Sequence, residues 1–244
     1  RQVCETYGGM LNAIGLQNPG IDVFIERDIP YLKQYDTNII VNVCGKTPDE
    51  YIDVVRRLAE EDVALLEINI SCPNVKAGGI AFGQDPKQVE KITAQIKAVA
   101  KQPVIMKLSP NVTDITEMAK AAEAGGADAI SLINTLTGMK IDINRRTFAL
   151  ANKTGGMSGP AVKPVAVRMV YQAAHAVTIP VLGMGGIRTA EDALEFIMAG
   201  ATMVAVGTAN FNEPATTVQV IEGIEQFMQQ NGVKDINELI GCVK

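Results

Sequence analysis

Little in this sequence invites a metal, a membrane or a nucleic acid. It holds one histidine, His175, in 244 residues, within Val170-Tyr171-Gln172-Ala173-Ala174-His175, a predicted helix remote from any motif. A surface or helix-end position is expected for it, and no metal ligand set is assigned. The four cysteines, Cys4, Cys44, Cys72 and Cys242, include no CxxC pair, so free thiols in a reducing, cytoplasmic setting are expected. No run of about 18 apolar residues occurs, so no membrane span is expected. No basic stretch leads into an apolar one, and no secretory signal is visible. Net charge is −5 with no basic stripe, which argues against a nucleic-acid partner. The chain opens on Arg1 rather than Met, and a fragment or a processed start is the expectation drawn from that.

What is present suits a single α/β domain over residues 1–244. The composition is 47% hydrophobic and 20% charged, enough to bury a substantial core at this length. Near-continuous apolar runs predict strands at 38–43, 64–69, 104–108, 129–133, 181–183 and 203–206, as for parallel strands covered on both faces. Amphipathic segments fill the gaps. Thr47-Pro48 and Asp85-Pro86 each supply a capping residue followed by proline at the first helical position. The segment from Asp114 to Ala124 runs into Gly125-Gly126, a glycine stop. Further helices are predicted at 161–176, 189–199 and 214–230. The stretches near Cys72 and between Asn134 and Pro160 read as long loops. Strand spacing of about 25 residues suits βα units. Six such units predict most of a (β/α)8 TIM barrel, with an open doubly wound sheet as the competing architecture.

Polar residues gather at strand exits. Asn42, Asn69, Lys107 and Asn134 end or follow four successive apolar runs, and each is costly to bury without a partner. Barrel active sites lie at this face. Carboxamides offer two donors and an acceptor to a flat heterocycle, and an ammonium can offset negative charge developing on a reduced ring. Cys72 lies just past a strand, in Asn69-Ile70-Ser71-Cys72-Pro73-Asn74, ahead of the glycine-rich stretch 76–83. It reads either as an inert small hydrophobe or as a proton acceptor poised by a nearby charge. Two glycine turns, Gly183-Met184-Gly185-Gly186 and Gly207-Thr208, follow the last strands. Such loops bind phosphate through backbone N–H groups. The dinucleotide fingerprint Gly-x-Gly-x-x-Gly is absent.

Taken together, these motifs resemble the class 1 dihydroorotate dehydrogenases. The resemblance runs through Asn12-Ala13-Ile14-Gly15-Leu16-Gln17-Asn18-Pro19-Gly20, the Asn69–Asn74 segment, Lys107-Leu108-Ser109-Pro110-Asn111, Asn134-Thr135, Ser158-Gly159-Pro160-Ala161-Val162-Lys163-Pro164, Gly185-Gly186 and Gly207-Thr208. The stretch 75–83 is similar to the NAD-linked subclass, 1B, whose members pair with an iron–sulfur flavoprotein subunit. The resemblance implies an FMN-containing barrel that oxidises dihydroorotate to orotate in pyrimidine synthesis. It implies Cys72 as the base. It implies Asn12, Asn69, Asn74, Asn134 and Thr135 as substrate ligands, with Ala13, Ile14, Gly15 and Leu16 adjoining. For the flavin it implies Asn42, Asn69, Lys107 and Ile133, and for the phosphate Gly159, Gly185, Gly186, Gly207 and Thr208. It further implies a homodimer at the core of a heterotetramer, with FAD and a 2Fe-2S cluster confined to the partner subunit.

Members of that family carry a further stretch ahead of the position matching Arg1. It supplies the first barrel strands, an Ala-Ser flavin contact and a lysine meeting both substrate and FMN. A barrel lacking about its first two strands is therefore expected. The competing functions are a fumarate-linked dihydroorotate dehydrogenase, a flavoprotein domain resembling dihydropyrimidine dehydrogenase, and an inactive truncated flavin-binding scaffold.

Overall fold

The computed structural model describes residues 1–72 and 82–243. Its centre is a parallel sheet of six strands: β3 (Ile40–Val43), β4 (Leu65–Asn69), β5 (Val104–Lys107), β6 (Ala129–Leu132), β11 (Val181–Met184) and β12 (Met203–Ala205). They lie in the order β12-β11-β6-β5-β4-β3. Each predicted strand is present, with ends shifted by two residues or fewer. The sheet stays open, with β12 and β3 as its two edges.

Helices cover one face. After the short α1 (Ile21–Val23) and α2 (Ile29–Leu32), the main ones are α3 (Pro48–Leu58), α4 (Pro86–Lys97), α5 (Ile115–Ala124), α6 (Lys163–Ala174), α7 (Ala190–Met198) and α8 (Thr216–Asn231). Their starts follow from local chemistry. Thr47, Asp85 and Asp114 each accept a hydrogen bond from a backbone N–H of the first turn, and Pro48 and Pro86 fill positions that need no N–H. Thr189 and Asp192 form a reciprocal capping box at α7. His175 caps the C-terminus of α6 and is exposed, as expected for it.

Alternation along the strands sends Val41, Val43, Leu66, Ile68, Val104, Met106, Ile130 and Leu132 into the layer under the helices, where all are buried. Tyr51 and Val55 on α3 and Phe196 on α7 are fully buried in the same core. Each such side chain contributes about 1.5–3 kcal/mol of burial. The other face of the strands carries Asn42, Glu67, Asn69, Lys107 and Ser131. In-register pairing sets Asn42 beside Glu67, Asn69 beside Lys107, and Lys107 beside Ser131.

The segment between Asn134 and Pro160 is not the plain loop that the sequence suggested. It forms β7 (Leu136–Met139), the short pair β8 (Ile141–Asp142) and β9 (Thr147–Phe148), and β10 (Thr154–Ser158). With the N-terminal hairpin β1 (Val3–Thr6) and β2 (Gly9–Asn12), it builds an antiparallel sheet ordered β1-β2-β10-β7. Leu11, Ala13 and Leu150 form a small core of their own there. Asn12 pairs with Gly156 in this sheet, which brings the N-terminal motif to the strand exits of the main sheet.

Candidate active site

Two cavities open at the C-terminal ends of the parallel strands. The larger, about 490 Å³, is walled by the turns after β11 and β12, by the β10–α6 connection, and by Lys107, Ile133, Asn134 and Thr135. The smaller, about 260 Å³, is lined by Asn12, Ile14, Gly15, Leu16, Asn42, Asn69, Cys72, Lys107, Asn134 and Thr135. Lys107, Asn134 and Thr135 belong to both.

The structure therefore brings together nearly every residue that the sequence singled out. Gly159, Gly185, Gly186, Gly207 and Thr208 all line the larger cavity. Ala13 is buried in the antiparallel sheet's core instead of lining either cavity. Asn74 lies outside the described residues. Asn42 and Asn69 line the smaller cavity, next to the one that holds the glycine turns.

Cys72 is 6% exposed. Lys107 lines both cavities. Burial pushes its pKa down, while the charges of Glu67 and Cys72 oppose that shift. At Cys44, burial first, then the charges of Cys72 and Glu50, push the thiol up.

A hydrogen-bond network fixes the carboxamides. Asn69 accepts at Oδ1 from the Ser71 hydroxyl (3.0 Å) and N–H (3.3 Å), and donates to Asn42 Oδ1 (3.2 Å). Asn134 donates to Ser71 Oγ (2.9 Å) and accepts from the Thr135 N–H (2.7 Å). Asn111 donates to the Thr135 carbonyl (3.0 Å) and accepts from the Thr137 N–H (2.9 Å). Tyr51 ties α3 to the site by donating to the Asn69 carbonyl (2.7 Å). Glu67, Ser71, Asn111 and Arg188 escaped sequence reasoning. Ser71 and Asn111 sit inside the quoted motifs, Glu67 is the one acid within an apolar strand, and Arg188 follows the Gly185-Gly186 turn and lines the larger cavity; those were the available signals.

The larger cavity fits a flavin mononucleotide on its own chemistry. Gly185 (φ +125°) and Gly186 (φ +86°) adopt backbone that side chains disfavour. A Cβ on Gly207 would project into open space. Thr208 donates to Ser158 Oγ (2.8 Å), joining the turn after β12 to β10. Arg188 and Lys107 supply positive charge for a phosphate and for an electron-rich ring. Behind the glycine turn, Asp192 accepts from the N–H groups of Arg188 (2.9 Å) and Thr189 (3.1 Å), and from Lys163 (2.7 Å). Lys163 also binds Glu195 (2.6 Å).

Comparison with known proteins gives one answer. A family model described as dihydroorotate dehydrogenase matches residues 2–228. A protein of Lachnoclostridium phytofermentans named dihydroorotate dehydrogenase B (NAD(+)), catalytic subunit, is 75% identical over 243 residues, covering all of this chain and 81% of that protein. An Alkaliphilus metalliredigens protein of the same name is 64% identical, covering 99% of this chain and 80% of that protein. In fold, the chain is similar to the crystal structure of DHODH from Eimeria tenella in complex with ferulenol. That match has a TM-score of 0.81 at 21% identity, over 99% of this chain and 73% of the other. The fold is thus that of a TIM barrel, represented here by six strands of an open sheet.

Proposed function

The chain belongs to the dihydroorotate dehydrogenase family, and on that premise we propose how its residues oxidise dihydroorotate to orotate in pyrimidine synthesis. One observation carries the assignment of roles: a small amide-lined cavity holding a buried thiol shares a wall with a larger glycine-ringed cavity, and Lys107 stands between them.

The smaller cavity takes the pyrimidine. Its size falls just below that of drug-sized sites, which suits one ring and a carboxylate. Asn12, Asn69, Asn134 and Thr135 present donors and acceptors to ring N–H and C=O groups, with Ile14, Gly15 and Leu16 closing one side. Asn74 completes this set in our reading. Cys72 removes the proton from C5 of dihydroorotate onto its sulfur. Burial keeps water from the sulfur, and the neighbouring Lys107 can offset negative charge there.

The larger cavity takes FMN. Gly159, Gly185, Gly186, Gly207 and Thr208 would hold its phosphate, and Lys107 and Ile133, with Asn42 and Asn69 from the adjoining cavity, would hold its ring. When bound, FMN supplies the two-electron acceptor for the hydride that leaves C6.

Residues 1–244 form one FMN-binding domain in this reading. The relatives' name, catalytic subunit, indicates a partner subunit. We assign the partner an FAD and a 2Fe-2S cluster that pass electrons to NAD, around a homodimer of this chain in a heterotetramer. No helix among the described residues is long and apolar enough to cross a membrane, and a cytoplasmic enzyme is our reading.

The test is anaerobic mixing of the FMN-loaded protein with dihydroorotate. Bleaching of the flavin band, with orotate formed, is expected; a band that stays unchanged overturns the assignment. Turnover with NAD only when the partner is added separates this reading from the fumarate-linked one. Reduction of uracil-type rings in preference to dihydroorotate oxidation would instead favour the pyrimidine-reducing alternative.

A further inference from the structure

Beyond its charge beside Lys107, Glu67 ends a continuous chain of hydrogen bonds through the site. It lies on the strand face that bears Asn69 and is half-buried. Its Oε2 accepts from Asn42 Nδ2 (2.5 Å), and its Oε1 accepts from Ser131 Oγ (2.6 Å). Asn42 Oδ1 then accepts from Asn69 Nδ2, Asn69 Oδ1 from Ser71 Oγ, and Ser71 Oγ from Asn134 Nδ2. Every bond in the series donates toward Glu67.

Direction matters because a carboxamide has two distinct ends. A carboxylate offers acceptors only, so Asn42 must turn its NH₂ to Glu67 and its carbonyl oxygen to Asn69. Two backbone donors enforce the same polarity further along: the Ser71 N–H on Asn69 Oδ1 and the Thr135 N–H on Asn134 Oδ1. Among the described residues, no backbone N–H donates to Asn42, whose amide meets only Glu67 and Asn69. Its orientation depends on Glu67. Reversing Asn42 would set two NH₂ groups face to face at Asn69.

We propose that Glu67 is a positioning residue, which fixes the amide of Asn42 and through it that of Asn69, and so sets the donor–acceptor pattern that the bound pyrimidine meets. This rests on the smaller cavity being the pyrimidine site. Glu67 touches neither ligand in this scheme.

The test uses the full-length FMN-loaded protein and titrates orotate against the flavin absorbance. Glu67→Gln allows either amide polarity. Its orotate dissociation constant should rise by about tenfold, the scale of one lost hydrogen bond to a charged group, measured on the fraction that holds FMN, with melting temperature retained and KM rising more than kcat falls. Ser131→Ala leaves the Asn42–Glu67 bond in place and should stay within about twofold of wild type. An orotate affinity in Glu67→Gln within that same margin overturns the proposal, as does an equal loss in Ser131→Ala. Should Glu67→Gln fail to fold, neutron diffraction from deuterium-exchanged wild-type crystals still decides. Deuterons on the Asn42 atom facing Glu67 support the proposal, and deuterons on the atom facing Asn69 overturn it. A wild-type protein that holds FMN but takes up no orotate sinks the pyrimidine reading itself, a result distinct from all of these.

Discussion

Asn69 on β4 stands in register with Lys107 on β5, so an amide and an ammonium share one level of the sheet where the two cavities meet. A cation there is expensive: burial alone pushes Lys107 toward its neutral form. It stays useful because Glu67 and Cys72 oppose that push, and because a bound anion or electron-rich ring adds to the opposition.

Lys107→Ala is expected to loosen FMN by about tenfold or more, the scale of one charge-assisted contact. Flavin retained through gel filtration, compared with wild type, measures it. Full retention with normal reduction would remove Lys107 from the flavin's binding set.

Cys72→Ala separates chemistry from binding. Flavin reduction by dihydroorotate in stopped flow should slow by about 10²–10⁴-fold, the usual worth of a positioned base. FMN content should not change, because the glycine turns belong to the other cavity. An unaltered reduction rate would discard the thiol as base.

Gly156→Ala tests the coupling between the antiparallel sheet and the site. A Cβ at residue 156 would come within 2.0 Å of Thr135 Oγ1, and Asn12 is the register partner of Gly156. Overpacking of this kind costs about 1–3 kcal/mol. Orotate affinity should drop while the flavin stays bound. A variant with native orotate affinity would show that neither Asn12 nor Thr135 needs its present place.

The clamp behind the Gly185-Gly186 turn should respond to acid. Burial raises the pKa of Asp192, but Lys163 and the N–H groups of Arg188 and Thr189 lower it further, leaving it below the ordinary carboxylate value. A depressed folded-state pKa gives stability that is complete above the unfolded value, near about 3.9, and is lost as pH falls through the folded one. Asp192→Asn should therefore melt earlier than wild type at neutral pH, by about 2–4 °C per kcal/mol lost in a chain of this size. The gap between the two melting curves should narrow below about pH 4. A gap that holds constant into that range would show that the carboxylate contributes nothing through its charge.

Much of this architecture was legible because it rests on short-range signals. Apolar runs gave the six parallel strands, and Thr47-Pro48, Asp85-Pro86 and Asp114 gave helix starts that the structure keeps. The strand-exit rule located Asn42, Asn69 and Lys107. The antiparallel sheet was not legible. Its strands β7 and β10 carry glycines at Gly138, Gly155 and Gly156, which blunt any alternation. Its pairing of β2 with β10 joins residues far apart in sequence. Glu67 was missed for a related reason. One acid in an apolar strand looks like noise until its two partners, Asn42 and Ser131, arrive from neighbouring strands.

Because Lys107 forms part of the boundary of both chambers, the roles proposed above would link their occupants thermodynamically. Whatever the first guest contributes to holding that proton, the second finds already in place. By reciprocity, pyrimidine strengthens the hold on cofactor by the same factor that cofactor strengthens the hold on pyrimidine. On the proposed roles, product departure and flavin retention would share one coupling free energy in addition to the intrinsic affinity of each.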